Sequence, residues 1–209
     1  MLFKIDLHVH TSSSGDNDAD LEEVIERAVE LGLDGITITE HYSYAASEPV
    51  ERLREKYRGI ITLFRGVELS AAEGHCLVFG ADTDRLSLGY APAQEVVRAV
   101  TAAGGIVIPS HPYRGGSGLG ARVLDLPGIG GLEGYNGANL HAMNVRAVEA
   151  AGRLGLPYTG GSDAHAPAEV GSCYTAFEGT VAAGDLVHHL RSGRFRGVDT
   201  RKISRLVVS

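Results

Sequence analysis

The chain has 209 residues, a formal net charge of -7, 44% apolar residues and 22% charged residues. This balance excludes a disordered chain, a coiled coil and a disulfide scaffold, and no run approaches the ~18 apolar residues of a membrane span. An acidic chain with only three lysines, Lys4, Lys56 and Lys202, is not expected to track nucleic acid. Cys76 and Cys173 lack paired spacing and read as reduced thiols. The start, MLFKIDLHVH, carries no apolar signal core. The expectation is a cytoplasmic protein with no membrane partner and a single domain over 1–209.

Residues 4–10, KIDLHVH, alternate at period two and predict a first strand. Asp20 and Glu23 form a capping-box pattern for a helix ended by Gly32, with Leu21, Val24, Ile25, Ala28, Val29 and Leu31 on one face. Strands are then predicted at 35–39, 60–68, 75–79, 106–110, 130–135, 158–161 and 173–177, with helices at 49–56, 92–103, 138–154 and 185–192. An apolar-basic alternation over Phe195–Val208 predicts an edge strand. Repeated strand–helix units imply a parallel sheet with right-handed crossovers, as an irregular barrel or an open sheet. The glycine-rich stretch 113–121 reads as a mobile loop that could close over a ligand.

The polar residues carry the function. His8, His10, His41, His75, His111 and His165 fall at or beside predicted strand ends, His75 opening its strand rather than closing it. Asp6, Asp16, Glu40, Glu68, Glu133 and Asp163 occupy similar positions. Carboxyl ends of parallel strands converge on the ligand site of α/β folds, so residues distant in sequence meet there. His8 and His10, two apart on a strand, share a face; Asp163 and His165 repeat the spacing. Imidazole and carboxylate suit zinc, manganese or iron, and crowding so many titratable groups without a metal carries a large desolvation and repulsion cost. Each pair alone is weak, since one His-x-His occurs by chance; the recurrence at successive strand ends is the signal. His141, His188 and His189 lie in helical stretches and read as structural or exposed, and Cys76 is expected to face away from His75 into the core. Asp6 reads as support for a ligand rather than a ligand.

Asp6-Leu-His-Val-His-Thr11, Thr39-Glu-His41, Gly66-Val-Glu68, Ser110-His-Pro112 and Gly161-Ser-Asp-Ala-His165 occur in that order. Together they resemble the PHP family, the polymerase and histidinol phosphatase metallohydrolases, over Lys4 to about Phe177. The resemblance implies a distorted seven-stranded β/α barrel and up to three divalent metals. It implies His8, His10, Glu68 and Asp163 as ligands of the first metal. Glu68 would bridge to the second, completed by His75 and His111, and Asp16, His41 and His165 would hold the third. Asp18 neighbours Asp16 and could substitute for it.

Such a site suits phosphate ester hydrolysis by a metal-activated hydroxide, with two to three zinc, manganese or iron ions as cofactors. The expected substrate is a small phosphomonoester. Asp163, His165 and Glu68 are the expected catalytic residues, Glu68 as the bridge and Asp163 with His165 handling protons. Arg114 is the candidate phosphate contact, weighed equally against a solvated loop residue. Glu133, Tyr135 and Asn136 could line the pocket, or Asn136 could cap the next helix. The alternatives are a phosphodiesterase or exonuclease acting on nucleotides or short oligonucleotides, a C–N bond hydrolase, and a non-catalytic metal-binding module. The C–N reading is weakened because no lysine lies at a mid-chain strand end to bridge two metals.

Overall fold

In the computed structural model, which describes residues 2–201, the alternating N-terminal run forms strand β1 (Leu2–Val9). Helix α1 (Leu21–Glu30) starts where the Asp20 carboxylate accepts the backbone N–H groups of Glu22 and Glu23, and buries Val24, Ile25 and Ala28. Then come β2 (Gly35–Ile38), the short α2 (Pro49–Leu53), β3 (Thr62–Ala71) and β4 (Gly74–Phe79). A one-turn α3 (Thr83–Leu86), absent from the sequence expectation, precedes α4 (Ala93–Ala102) and β5 (Ile106–Pro109). The chain continues through β6 (Leu132–Asn136), α5 (His141–Leu154), β7 (Tyr158–Gly161), β8 (Cys173–Glu178), α6 (Leu186–Ser192) and β9 (Phe195–Asp199). The expected tail strand is therefore present as β9 up to Asp199; positions 202–208 of that expectation lie outside the described residues.

Seven strands form one sheet in the order β5-β4-β3-β2-β1-β8-β9, and β6 pairs with β7. The sheet curls into a half-barrel, and the β6-β7 pair packs against β1, β5 and β9 across its opening. The architecture is the expected α/β one, a distorted seven-stranded β/α barrel. The expectation of an all-parallel sheet is corrected. β1-β2, β2-β3 and β6-β7 are parallel, whereas β3-β4, β4-β5, β1-β8 and β8-β9 are antiparallel. The reason at β4 is chain length: only Ala72 and Glu73 separate it from β3, a hairpin turn too short for a crossover.

That reversal positions the site. β4 runs against its neighbours, so its first residues lie at the same barrel end as the last residues of β1, β2 and β3. His75, which opens β4, is thereby delivered beside the strand-closing histidines, with Ser70 of β3 as its cross-strand partner. Ile5, Leu7, Phe64, Leu77, Phe79, Ile108 and Phe177 pack together beneath this end, and further apolar clusters lie under α1 and against α4 and α5. Polar chemistry thus sits on an apolar floor that excludes water from its lower side.

Candidate metal centre

His8 and His10 project from the end of β1 to one side, and both are fully buried. Gly161 of β7 makes room for His8, since a Cβ there would lie 2.4 Å from the His8 Cβ. The His8 Nε2 atom is 3.0 Å from His10 Nε2, 3.4 Å from Glu68 Oε2 and 3.3 Å from Asp163 Oδ1. His10 Nε2 stands at 3.4 Å and 3.3 Å from the same two oxygens. Four ligand-type atoms therefore surround one point. The other Glu68 oxygen, Oε1, lies 2.8 Å from His111 Nε2 and 3.3 Å from His75 Nδ1, forming a second group. A third brings together the His10, His41 and His165 rings, with Asp16 Oδ2 at 3.1 Å from His41 Nε2 and 3.2 Å from His165 Nε2. All nine residues expected as ligands are brought together. Asp16, not Asp18, faces the two histidines. Glu68 also lies 3.2 Å from His41 Nδ1, so one carboxylate touches all three groups.

The donor set fits divalent metals. Nδ1 of His41 and of His75 lie against Glu68 yet have no aligned hydrogen-bond partner. Lone pairs that converge on a common point, rather than on each other, are what cation ligation requires. Burial alone would raise the Glu68 and Asp163 carboxyls, but the surrounding histidines, His8 foremost, hold both well below the usual range. Burial alone would lower His8, yet Asp163, Glu133 and Glu68 lift it well above the ordinary imidazole value; His10 is raised by Asp163 and Glu68. A buried group of carboxylates is thus kept charged by facing cations, a task metal ions perform directly.

Around the ligands sits a shell of orienting groups. Glu133, fully buried, accepts from His8 Nδ1 at 2.8 Å, from the His111 backbone N–H at 2.6 Å and from Asn136 Nδ2 at 2.9 Å. His10 Nδ1 meets Ser14 Oγ at 3.1 Å, and that hydroxyl donates to buried Glu40. Ser110 Oγ donates to Glu68 Oε1 at 2.8 Å. Asp6 accepts the backbone N–H groups of Ser162 and Gly171, each at 2.9 Å, and burial pushes its carboxyl up to about 6. It braces the site and is not part of the ligand groups, as its sequence reading expected. His111 and Asp163 have positive φ, 30° and 55°, a strained backbone in two side chains of the centre.

Arg114 is half-buried at the rim and is not a solvated loop residue. Its guanidinium donates from Nε to Asn139 Oδ1 at 2.9 Å and from Nη2 to Asn136 Oδ1 at 2.7 Å, and Nη1 pairs with Asp163 Oδ2 at 2.8 Å. The loop 113–121 is also more fixed than its glycines suggest. Ser117 O accepts the His75 N–H at 2.8 Å, Gly120 N–H bonds Pro112 O at 2.7 Å, and Leu119 is buried in the core. His141 and His188 lie exposed on helices and His189 half-buried against Phe177, all outside the three ligand groups. Cys76 is buried in the core on the side away from His75. Tyr135 contributes to a ring contact with Tyr158 rather than to the metal groups. Sequence reasoning did not single out Ser14, Asn139 or Asn144, residue types too common in loops and helices to stand out.

Two family models match the chain: the PHP domain at residues 6–109 and the PHP-associated region at residues 141–195. A curated relative, phosphoribosyl 1,2-cyclic phosphate 1,2-diphosphodiesterase of Eggerthella lenta, is 32% identical over 150 residues, covering 71% of this chain. The chain spans about half, 52%, of that relative's length. Among solved structures, PsfC from Pseudomonas syringae superposes with a TM-score of 0.71 at 22% identity, covering 95% of this chain and 92% of that one. A protein described as a metal-dependent phosphoesterase, from Bifidobacterium adolescentis, gives 0.63 at 23% identity over 77% and 87% of the two chains. An amidohydrolase from Chromobacterium violaceum gives 0.64 at 18% over 91% and 96%. The structural likenesses agree with the fold, the two PHP models together match most of the chain, and the chain belongs to the PHP family.

Proposed function

We propose that the protein is a metal-dependent phosphoesterase that hydrolyses a small phosphomonoester. The observation that carries this reading is the single Glu68 carboxylate in contact with three ligand groups at the end of a β/α barrel. In it, His8, His10, Glu68 and Asp163 hold one metal, Glu68, His75 and His111 a second, and Asp16, His41 and His165 a third. Zinc, manganese and iron all match these donors. Bound metals supply the Lewis acidity that activates a water and neutralises charge on phosphoryl oxygens.

The chain's own residues do the rest. Glu68 and Asp163, kept ionised, hold negative charge where cations must collect. Arg114 uses three of its five N–H groups on Asn139, Asn136 and Asp163. One N–H on each terminal nitrogen remains, a pair suited to non-ester phosphate oxygens. His165, half-buried at the mouth, has its Nδ1 fixed 3.0 Å from Asp163 O and its Nε2 3.2 Å from Asp16 Oδ2, so Nε2 is the atom that would ligate a third metal. With only the first two groups filled, the same Nε2 can accept or donate, and in that two-metal state we assign it, with Asp163, to proton handling at the leaving oxygen. The buried floor excludes bulk water below the reacting group.

Phosphate release from a panel of phosphomonoesters, with Mn²⁺ or Zn²⁺ and a chelator control, tests this. Metal-dependent release that falls by at least ~10³-fold in Asp163→Asn is the expected result. The name of the Eggerthella lenta relative favours a second reading, a phosphodiester substrate. Release from bis(p-nitrophenyl) phosphate or a cyclic phosphodiester, with none from monoesters, would select it. No release from any ester, in a protein that binds metal, would leave the non-catalytic module.

A further inference from the structure

Arg201 lies at the far end of the chain from the centre's motifs, yet its guanidinium is built into the loop that holds Arg114. Nη1 donates to Gly137 O at 2.7 Å and to Asn139 O at 2.8 Å. Its other side forks onto Asp199 at the end of β9, with Nε–Oδ1 at 2.9 Å and Nη2–Oδ2 at 2.6 Å. The guanidinium is half-buried, and the Asp199 carboxylate nearly fully so. A planar fork gripping a carboxylate on one edge and two carbonyls on the other is a fixed geometry.

The two carbonyls belong to residues 137–140, which join β6 to α5. Its one polar side chain, Asn139, and the flanking Asn136 and Asn144 are all committed. Asn139 Oδ1 accepts from Arg114 Nε at 2.9 Å, and Asn139 Nδ2 donates to Asn144 Oδ1 at 3.0 Å. Asn144 in turn takes the Asn136 N–H at 3.2 Å and donates to Asn136 O at 3.0 Å. Asn136 accepts from Arg114 and donates to Glu133 and Asp163. Gly137 is needed where it stands, since a Cβ would lie 2.1 Å from Ser172 Oγ and 2.5 Å from Ser162 O. Arg201 therefore grips the backbone of the residue whose side chain aims Arg114. Arg114, Asn136, Asn139 and Arg201 all fall outside the two stretches that the family models match.

We propose that Arg201 is a positioning residue for substrate: through the backbone of Asn139 it fixes the Arg114 guanidinium in the orientation that receives a phosphate group. The proposal rests on the assignment of Arg114 to phosphate. Releasing the 137–140 loop lets Asn139 swing, and Arg114 then loses its Nε partner and rotates on Asp163. Phosphate affinity falls while the ligand groups, held by other contacts, keep their metals.

The test is a double-mutant cycle on the full-length, Mn²⁺-loaded protein, read as the Kd of inorganic phosphate by calorimetry, with metal content measured on the same samples. Arg114→Ala is expected to weaken phosphate by about tenfold or more, and Arg201→Ala by about threefold to tenfold, each at unchanged metal content. Arg201→Lys, which keeps a donor for the carbonyls but loses the fork to Asp199, is expected to fall between Arg201→Ala and the parent. Both Arg201 effects should vanish in the Arg114→Ala background. Should Arg201→Ala fail to fold, Arg201→Lys completes the same cycle. Normal phosphate affinity in Arg201→Ala beside a weakened Arg114→Ala overturns the role of Arg201 and leaves that of Arg114. An Arg201 effect that persists in full without Arg114, or that comes with metal loss, also overturns it, as a general structural role. Normal affinity in Arg114→Ala overturns the phosphate assignment itself.

Discussion

Glu133→Gln is the sharpest probe of how the centre is held. The carboxylate faces three donors: His8 Nδ1 on Oε1, and the His111 N–H and Asn136 Nδ2 on Oε2. An amide has the same shape but only one acceptor oxygen. If that oxygen keeps His111 and Asn136, the new NH₂ donates toward His8 Nδ1. His8 must then carry its proton on Nε2, the atom facing Glu68 and Asp163, and its ligand lone pair is lost. If the oxygen keeps His8 instead, two donors meet an NH₂ in a fully buried place, and the strained His111 backbone loses its anchor. A lost hydrogen bond to a charged group costs about 1.5–3 kcal/mol, and orienting partners of metal ligands are worth about 10–100-fold in affinity. Competition with a chelator should therefore show metal affinity lower by about 10–100-fold, with the fold intact by circular dichroism. Parental affinity in a folded Glu133→Gln protein would refute the reasoning that this carboxylate sets the His8 tautomer.

Gly137→Ala forces a Cβ against Ser172 Oγ and the Ser162 carbonyl; the hydroxyl can rotate away, but the carbonyl cannot. Overpacking of this kind costs about 1–3 kcal/mol, and about 2–4 °C of Tm per kcal/mol for a chain this size, so calorimetry should show a drop of about 2–12 °C; an unchanged Tm would contradict the packing described. Burial pushes the Cys76 thiol up to about 12 and the Cys173 thiol up as well. At pH 8 the Cys76 thiolate is then roughly one part in 10⁴, so a thiol reagent should find no reactive group in the native protein and two after unfolding in guanidinium. A thiol that reacts within minutes in the folded state would mean that its burial is wrong.

The ligand motifs were readable because their signals are local. His-x-His on an alternating run, Thr39-Glu-His41 after a β-branched run and Asp163-Ala-His165 after Gly160-Gly161 each combine a residue type with a strand end. That they meet in one cleft followed from the convergence rule, whereas their division into three ligand groups came only from the resemblance to the PHP family. The parallel-sheet expectation failed because alternation records which face is buried, not which way a strand runs. Only the two-residue gap between β3 and β4 betrays the reversal, and that gap depends on strand ends the sequence leaves blurred. The loop 113–121 misled for a related reason. Glycine signals freedom in the unfolded chain, but the Ser117 carbonyl and the Leu119 side chain remove it in the folded one. Asn139 and Arg201 were invisible because their roles lie in partners 25 and 62 residues away, met only through tertiary contacts, and Asn144 because its local bond to Asn139, five residues back, has no distinctive sequence pattern.

The β3-β4 hairpin also divides the centre by the entropy of bringing its parts together. Glu68 and His75 stand seven residues apart and meet as soon as one tight turn closes. His8 and Asp163 meet only when the two ends of the barrel join. Closing a loop of about 150 residues rather than about seven costs roughly 3 kcal/mol more in chain entropy. Chain entropy thus favours an assembly that starts at this hairpin, where the carboxylate shared by all the ligand groups meets its first partner at the least cost, with the first strand and the last loops the most expensive parts to bring to it.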